Sequence, residues 1–198
     1  RANSFSTDVS AEKALDKILN VTGLAKNFYL KKCDGITNCE AHTYKGDRYI
    51  LYDSYFMKAI ANNTSSWSNI SILAHEIGHH VNGHTLKGNI SYSQMRKEEL
   101  EADEYSGFVM YKLGATLSQA QAAIGFISSN RDDTYSTHPS KYKRLAAIER
   151  GYNKSKNSGG GKLPRPNYQY VSNKSTVYCP GRKPFTNHTS FEGKHIYY

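Results

Sequence analysis

This 198-residue sequence contains no run of about 18 apolar residues, so no segment reads as a bilayer-spanning helix. Residues 1–6 (RANSFS) lack the apolar stretch of a signal peptide, which leaves a cytoplasmic chain or one whose targeting segment has been removed. Cysteine is scarce, at three residues. The gap between Cys33 and Cys39 does not match a zinc-ribbon pair, which argues against a cysteine-built zinc site. These two flank a turn-forming Asp34-Gly35 and invite a small disulfide loop, Cys179 having no local partner; three free thiols is the alternative. A Cys33–Cys39 bridge would favour an oxidising compartment. With the Asn/Ser/Thr/Tyr-rich composition it leans towards export, periplasmic or extracellular, over the cytoplasm.

Acidic residues are nearly missing from the last quarter. Residues 151–198 hold one acid against eight Lys and Arg, and carry most of the formal charge of +9. Such a tail suits an acidic polymer such as cell-wall material, or serves as a solubilising appendage. No nucleic-acid module or stacking motif is present, so nucleic acid is not an expected partner.

The length suffices for one domain with a real core. The pattern predicts a domain over 1–150, a Gly/Pro-rich linker over 151–166 whose clearest stretch is 157–166 (NSGGGKLPRP), and a basic extension over 167–198. Helical spacing is expected over 10–20, with Ser10 as N-cap and Gly23 as stop. Further helices are expected over 55–61, 68–81, 93–113, 118–128 and 139–150, the last with Pro139 in its first turn. Strands are expected over 27–33 and 47–53.

What is present, and carries chemistry, is His75-Glu76-Ile77-Gly78-His79 on the helix predicted over 68–81. Histidines four apart share one helix face, so both rings can reach a single Zn²⁺. Glu76 stands about 100° round the helix, close enough to take a proton from a water that the metal activates. With Leu73 at zero, Ile70, Ile77 and Val81 fall at roughly 40–80° and the histidines near 200–240°. The helix is therefore expected to bury one side and turn the histidines towards a cleft. His84 continues the apolar side and reads as a buried structural histidine, His80 as a supporting or surface residue. A third ligand is needed. The acids of 97–104 (KEELEADE) offer several, and Glu99 and Asp103, four apart, share a face on which one can bind metal while the other orients a histidine. Periodicity does not choose among Glu98, Glu99 and Glu101.

These residues resemble the M48 family of zinc metallopeptidases, which includes the CAAX prenyl protease and a heat-shock protease. His75 to His79, with His84 five further on, looks like that family's HExxHxxxxH. Glu99 to Asp103 looks like its ExxAD, which implies Glu99 as third zinc ligand and Asp103 as a supporting residue. Thr137-His138-Pro139-Ser140 with Arg144 is similar to its HPS segment and following arginine, implying that His138 and Arg144 lie near the site, polarising the substrate carbonyl or supporting Glu99. Asn38, Ala41, Gly46 and the run 49–52 are similar to its NAxA–strand element, although Cys39 stands where alanine is usual.

The resemblance covers about residues 10–150. It implies an α+β fold of gluzincin type, mostly helical with a small β-sheet, to which the C-terminal extension is appended. It implies one Zn²⁺ per chain and a polypeptide substrate, cleaved by an endopeptidase that pairs the substrate with a sheet edge; 49–52 is the candidate strand. The rival readings are a non-proteolytic zinc protein gripping an acidic polymer with its tail, a DNA-associated metalloprotease, and a zymogen. The intact Glu76 argues against the first, since a non-catalytic relative is expected to lose its base.

Overall fold

The computed structural model describes residues 8–159 and Cys179. The chain runs through α1 (Asp8–Thr22), β1 (Tyr29–Lys32), β2 (Cys39–Tyr44), β3 (Asp47–Tyr52), α2 (Ser54–Asn63), α3 (Trp67–Val81), a 3₁₀ turn (His84–Leu86), α4 (Tyr92–Lys112), α5 (Leu117–Ile127) and α6 (Lys141–Asn157). The architecture is α+β and mostly helical, with one three-stranded sheet.

Local signals act where the pattern puts them. Gly23 ends α1 at φ +71°, its N–H reaching Leu19 O at 2.9 Å. The helix begins at Asp8, two residues ahead of Ser10, the expected cap. Lys45 and Gly46 both have positive φ and close a two-residue hairpin between β2 and β3. Asp53, expected as the last strand residue, caps α2 instead. Its Oδ1 accepts from Tyr55 N at 2.8 Å and Phe56 N at 3.1 Å. Its Oδ2 accepts from Gly35 N and Thr37 N, tying down the loop before β2.

The sheet order is β1-β3-β2, with β1 parallel and β2 antiparallel to β3. β2 was not among the expected strands: Cys39 and Ala41 alternate with Glu40 and His42, but the pattern is too short and too poor in β-formers to read as a strand, and its pairing with β3 forms it. β3 is consequently central. Both its edges are used, so residues 49–52 cannot pair with a substrate and β2 is the edge beside α3. Side chains of β3 alternate faces: Ile50 and Tyr52 enter the main core with α1 to α6, while Tyr49 and Leu51 join Cys33 in a smaller cluster.

The same pleat corrects the cysteine pairing. Cys33 N bonds Tyr52 O on one side of β3, while Cys39 pairs with Tyr52 on the other. Two strand spacings, about 9–10 Å, separate their backbones, beyond disulfide reach. Cys33 bonds to Cys179 instead, with Cα atoms 5.3 Å apart, and Cys39 is a buried free thiol.

Two further expectations change. α3 does not bury one side only: residues 68–78 and His80 are all buried. Away from its apolar stripe stand Ser71, His75 and Gly78, small or polar enough for α4 to pack closely. The helix expected over 139–150 begins after its N-cap Ser140, leaving Pro139 outside, and continues to Asn157. The expected boundary at 150 thus falls inside α6, and residues 151–157 are helix rather than linker, with Gly151 and Ser155 buried. Residues 160–166 of the expected linker and the basic extension lie outside the described residues, Cys179 excepted.

Candidate active site

The site forms where α4 crosses α3. The crossing is close because small residues face each other: a Cβ on Gly78 would lie 3.0 Å from Ala102 Cα. Across this contact Glu99 meets both histidines. His75 Nε2 and His79 Nε2 are 3.1 Å apart, and each lies 3.4 Å from a Glu99 oxygen. The nearby acids go elsewhere: Glu98 binds Lys87 Nζ at 2.7 Å and Gln94, and Glu101 binds His84.

His75, His79 and Glu99 suit a small divalent cation. A tetrahedral centre with bonds of about 2.0–2.1 Å has edges of roughly 3.3–3.4 Å; each histidine lies that far from a different Glu99 oxygen, and one ligand atom from each of the three residues falls within 4.8 Å of the others. Glu99 Oε2 is buried with no hydrogen-bond partner, although Arg144 Nη2 lies 3.3 Å and His138 Nε2 3.8 Å away. The electrostatics also call for positive charge. Burial alone would lower His75, but the Asp103 and Glu99 carboxylates outweigh it and raise the imidazole to about 10. Burial alone would raise Glu99, yet His138, His75 and His79 hold it well below the usual carboxylate range.

α6 completes the surroundings. It docks on α4 at two glycines: a Cβ on Gly107 would run into the Ile148 carbonyl, and one on Gly151 into the Glu104 carbonyl. That approach brings Arg144 to Asp103 in a buried two-pronged pair, Nε–Oδ2 at 2.7 Å and Nη2–Oδ1 at 2.9 Å. Asp103 Oδ1 in turn lies 2.9 Å from His75 Nδ1, at an angle short of a full hydrogen bond. His138, on the loop before α6, keeps a side chain 42% exposed at the mouth of the site. Arg96 holds that loop through the carbonyls of Thr134 and Ser136, each at 3.0 Å.

Glu76 points the other way, to β2. Its Oε2 accepts from Ala41 N at 2.8 Å. Counting from the Tyr44–Asp47 pair that closes the hairpin, antiparallel alternation turns the N–H and C=O of Thr43, Ala41 and Cys39 away from β3, so Glu76 lies against the open edge. Burial raises the Glu76 carboxyl, countered by the neighbouring imidazoles. Of the other histidines, His84 is buried as expected, whereas His80 is a buried tie and no surface residue. It stacks on Phe28 and bonds Tyr49 O through Nε2 at 2.7 Å, which fastens α3 to the central strand. Burial pushes it down to about 4, leaving it neutral.

Sequence patterns did not single out Glu40; they offered Glu101 only as one of three candidate ligands and Ala41 only as part of a motif, and gave neither the His84 contact nor the Ala41 amide contact, since a backbone donor and a partner on another segment leave no mark in local spacing. Burial first, and the Glu76 charge second, push the Glu40 carboxyl up to about 7. A carboxyl raised in the folded state binds protons there that the unfolded chain has released, so stability falls as pH climbs from about 4.5 to about 7. Glu40→Gln removes that penalty. In metal-stripped protein it is expected to stabilise at pH 8 by on the order of 2 kcal/mol, roughly 5 °C in Tm, and to leave pH 4 unchanged. Equal shifts at both pH values would contradict this.

Among known protein families, the model of Peptidase U49 aligns with residues 47–163, from β3 through α6, and takes in every site side chain above except Glu40. No curated protein and no solved structure matches.

Proposed function

The chain belongs to the peptidase U49 family, and on that premise we propose that it is a zinc-dependent endopeptidase with M48-like machinery, cutting extended polypeptide at the cleft between α3, α4 and β2. The observation that carries the reading is the convergence of His75 Nε2, His79 Nε2 and a Glu99 carboxylate that has no hydrogen-bond partner of its own at Oε2. These three would hold one Zn²⁺, which when bound supplies Lewis acidity and acidifies water at neutral pH.

The chain's own residues account for the remainder. The open edge of β2 offers the outward C=O groups of Cys39, Ala41 and Thr43 and the outward N–H groups of Cys39 and Thr43 to a substrate backbone, fixing it in extended form, while the Ala41 N–H is held by Glu76. Glu76, next to that edge, takes the proton of the attacking water and returns it to the leaving amine. His138, at the mouth, donates to the carbonyl oxygen as negative charge develops there. Asp103 orients His75, and Arg144 holds Asp103 and the outer oxygen of Glu99.

The Cys33–Cys179 bond supports an oxidising, exported setting, and among the described residues no helix is long and apolar enough to cross a membrane. The charge of residues 151–198 supports contact with an acidic polymer outside the cleft.

Metal removal tests the proposal. Dialysis against a strong chelator is expected to abolish casein hydrolysis, and one equivalent of Zn²⁺ per chain to restore it. His79→Ala is expected to neither retain zinc nor recover. Full activity in metal-stripped protein would sink the zinc reading while leaving the family assignment intact.

A further inference from the structure

The two histidines of the site are oriented differently. His75 turns Nδ1 directly to a carboxylate, Asp103, at 2.9 Å. His79 turns Nδ1 to another imidazole: His84 Nδ1 lies 3.0 Å from it, and His84 Nε2 lies 2.9 Å from Glu101 Oε2. The His84 side chain is 3% exposed and Glu101 41%, so the contact chain leads from the site to the surface. Lys97 Nζ, at 3.9 Å, attends the other Glu101 oxygen.

We propose that Glu101 and His84 are positioning residues that set which ring nitrogen of His79 carries hydrogen, and so keep its Nε2 bare for the metal. This rests on the zinc reading above. A neutral imidazole has one N–H and one acceptor nitrogen. For His79 Nε2 to be a ligand, its hydrogen must sit on Nδ1, facing His84. His84 Nδ1 must then accept, which puts the His84 hydrogen on Nε2. That hydrogen needs an acceptor, and an ionised carboxylate can only accept. Every bond in the chain therefore points outward, and Glu101 fixes the direction. Without the carboxylate, His84 is free to carry hydrogen on Nδ1. His79 Nδ1 would then have to accept, its hydrogen would move to Nε2, and the ligand atom would be blocked.

Partners of this kind typically contribute 10–100-fold to metal affinity. Zinc affinity by competition with a chromophoric chelator, on the full chain, is expected to be about 10–100-fold weaker in His84→Phe and about tenfold weaker in Glu101→Leu. Glu101→Gln, whose amide oxygen still accepts, is expected to recover most of the loss. Should His84→Phe fail to fold, the half-exposed Glu101 variants carry the test. Nitrogen NMR of the histidine rings in the zinc-loaded parent is expected to show His79 bound through Nε2 and His84 protonated on Nε2. Parent affinity in Glu101→Leu, or hydrogen on His84 Nδ1, would overturn the relay and leave the zinc site standing. A parent chain that binds no zinc would overturn both.

Discussion

Glu76→Gln is expected to lower kcat for casein hydrolysis by about 10²–10⁴-fold while zinc content stays at one per chain. Glutamine matches glutamate in shape, and its amide oxygen can still accept from Ala41 N, a bond of 2.8 Å in the parent. The position at the β2 edge and the backbone of α3 therefore survive. What disappears is the capacity to take and return a proton. KM should change little, since the substrate strand is held by β2. Initial rates on casein with metal analysis of the same samples decide the matter: a variant that keeps more than a tenth of the parent rate would remove Glu76 from the chemistry, and one that loses zinc would mean a structural role.

The second large effect is on stability. Arg144→Met is expected to destabilise by about 3–5 kcal/mol, roughly 10 °C in Tm, because it strips the partner from a buried carboxylate. Asp103 is 0% exposed and Arg144 5%, and their two short bonds satisfy each other in the core. Burial raises Asp103, and Arg144 is the largest influence holding it down. Once the guanidinium is gone, the carboxylate keeps only His75, and that contact is bent. Asp103→Asn combined with Arg144→Met removes both charges and is expected to recover part of the loss, a non-additivity that a double-mutant cycle in denaturant measures. A single variant within 1 kcal/mol of the parent would show that the pair is not structural.

The neighbourhood of this pair also shows why the ExxAD and HEIGH patterns contain small residues. Gly78 against Ala102 sets the distance between α3 and α4, and Gly107 and Gly151 set that between α4 and α6. In sequence these positions read as neutral spacers between chemical groups. In the fold they are what lets Glu99 reach two histidines on another helix, and Arg144 reach Asp103.

Much of the local structure was legible because local rules act within a few residues. His75 and His79 share a face because four residues make about one helical turn. Gly23 ends α1 through a backbone conformation that glycine adopts at close range. The pattern over 47–53 identified a strand, but alternation says nothing about what lies on either side of it. β2 therefore went unseen, and the run 49–52, expected to be an edge open to substrate, is the central strand. The one-sided burial expected of α3 failed for the same reason: a helix wheel sorts faces by polarity and does not register that small residues admit a second neighbour. Spacing put Glu99 and Asp103 on one face, but the choice of Glu99 as ligand, and the whole of His138 and Arg144, entered through resemblance, since periodicity left three glutamates equivalent.

The sequence alone thus determined a helix bearing two imidazoles and a carboxylate in the order a metallopeptidase uses, as well as most helix limits to within a few residues, because those depend on spacing along one chain segment. Only the tertiary structure decided which acid meets the histidines, that Cys33 joins Cys179, that β2 is the open edge and that His84 links His79 to Glu101. Each of those is a contact between segments far apart in the chain, set by how closely two helices or strands can approach, and no local periodicity encodes that distance.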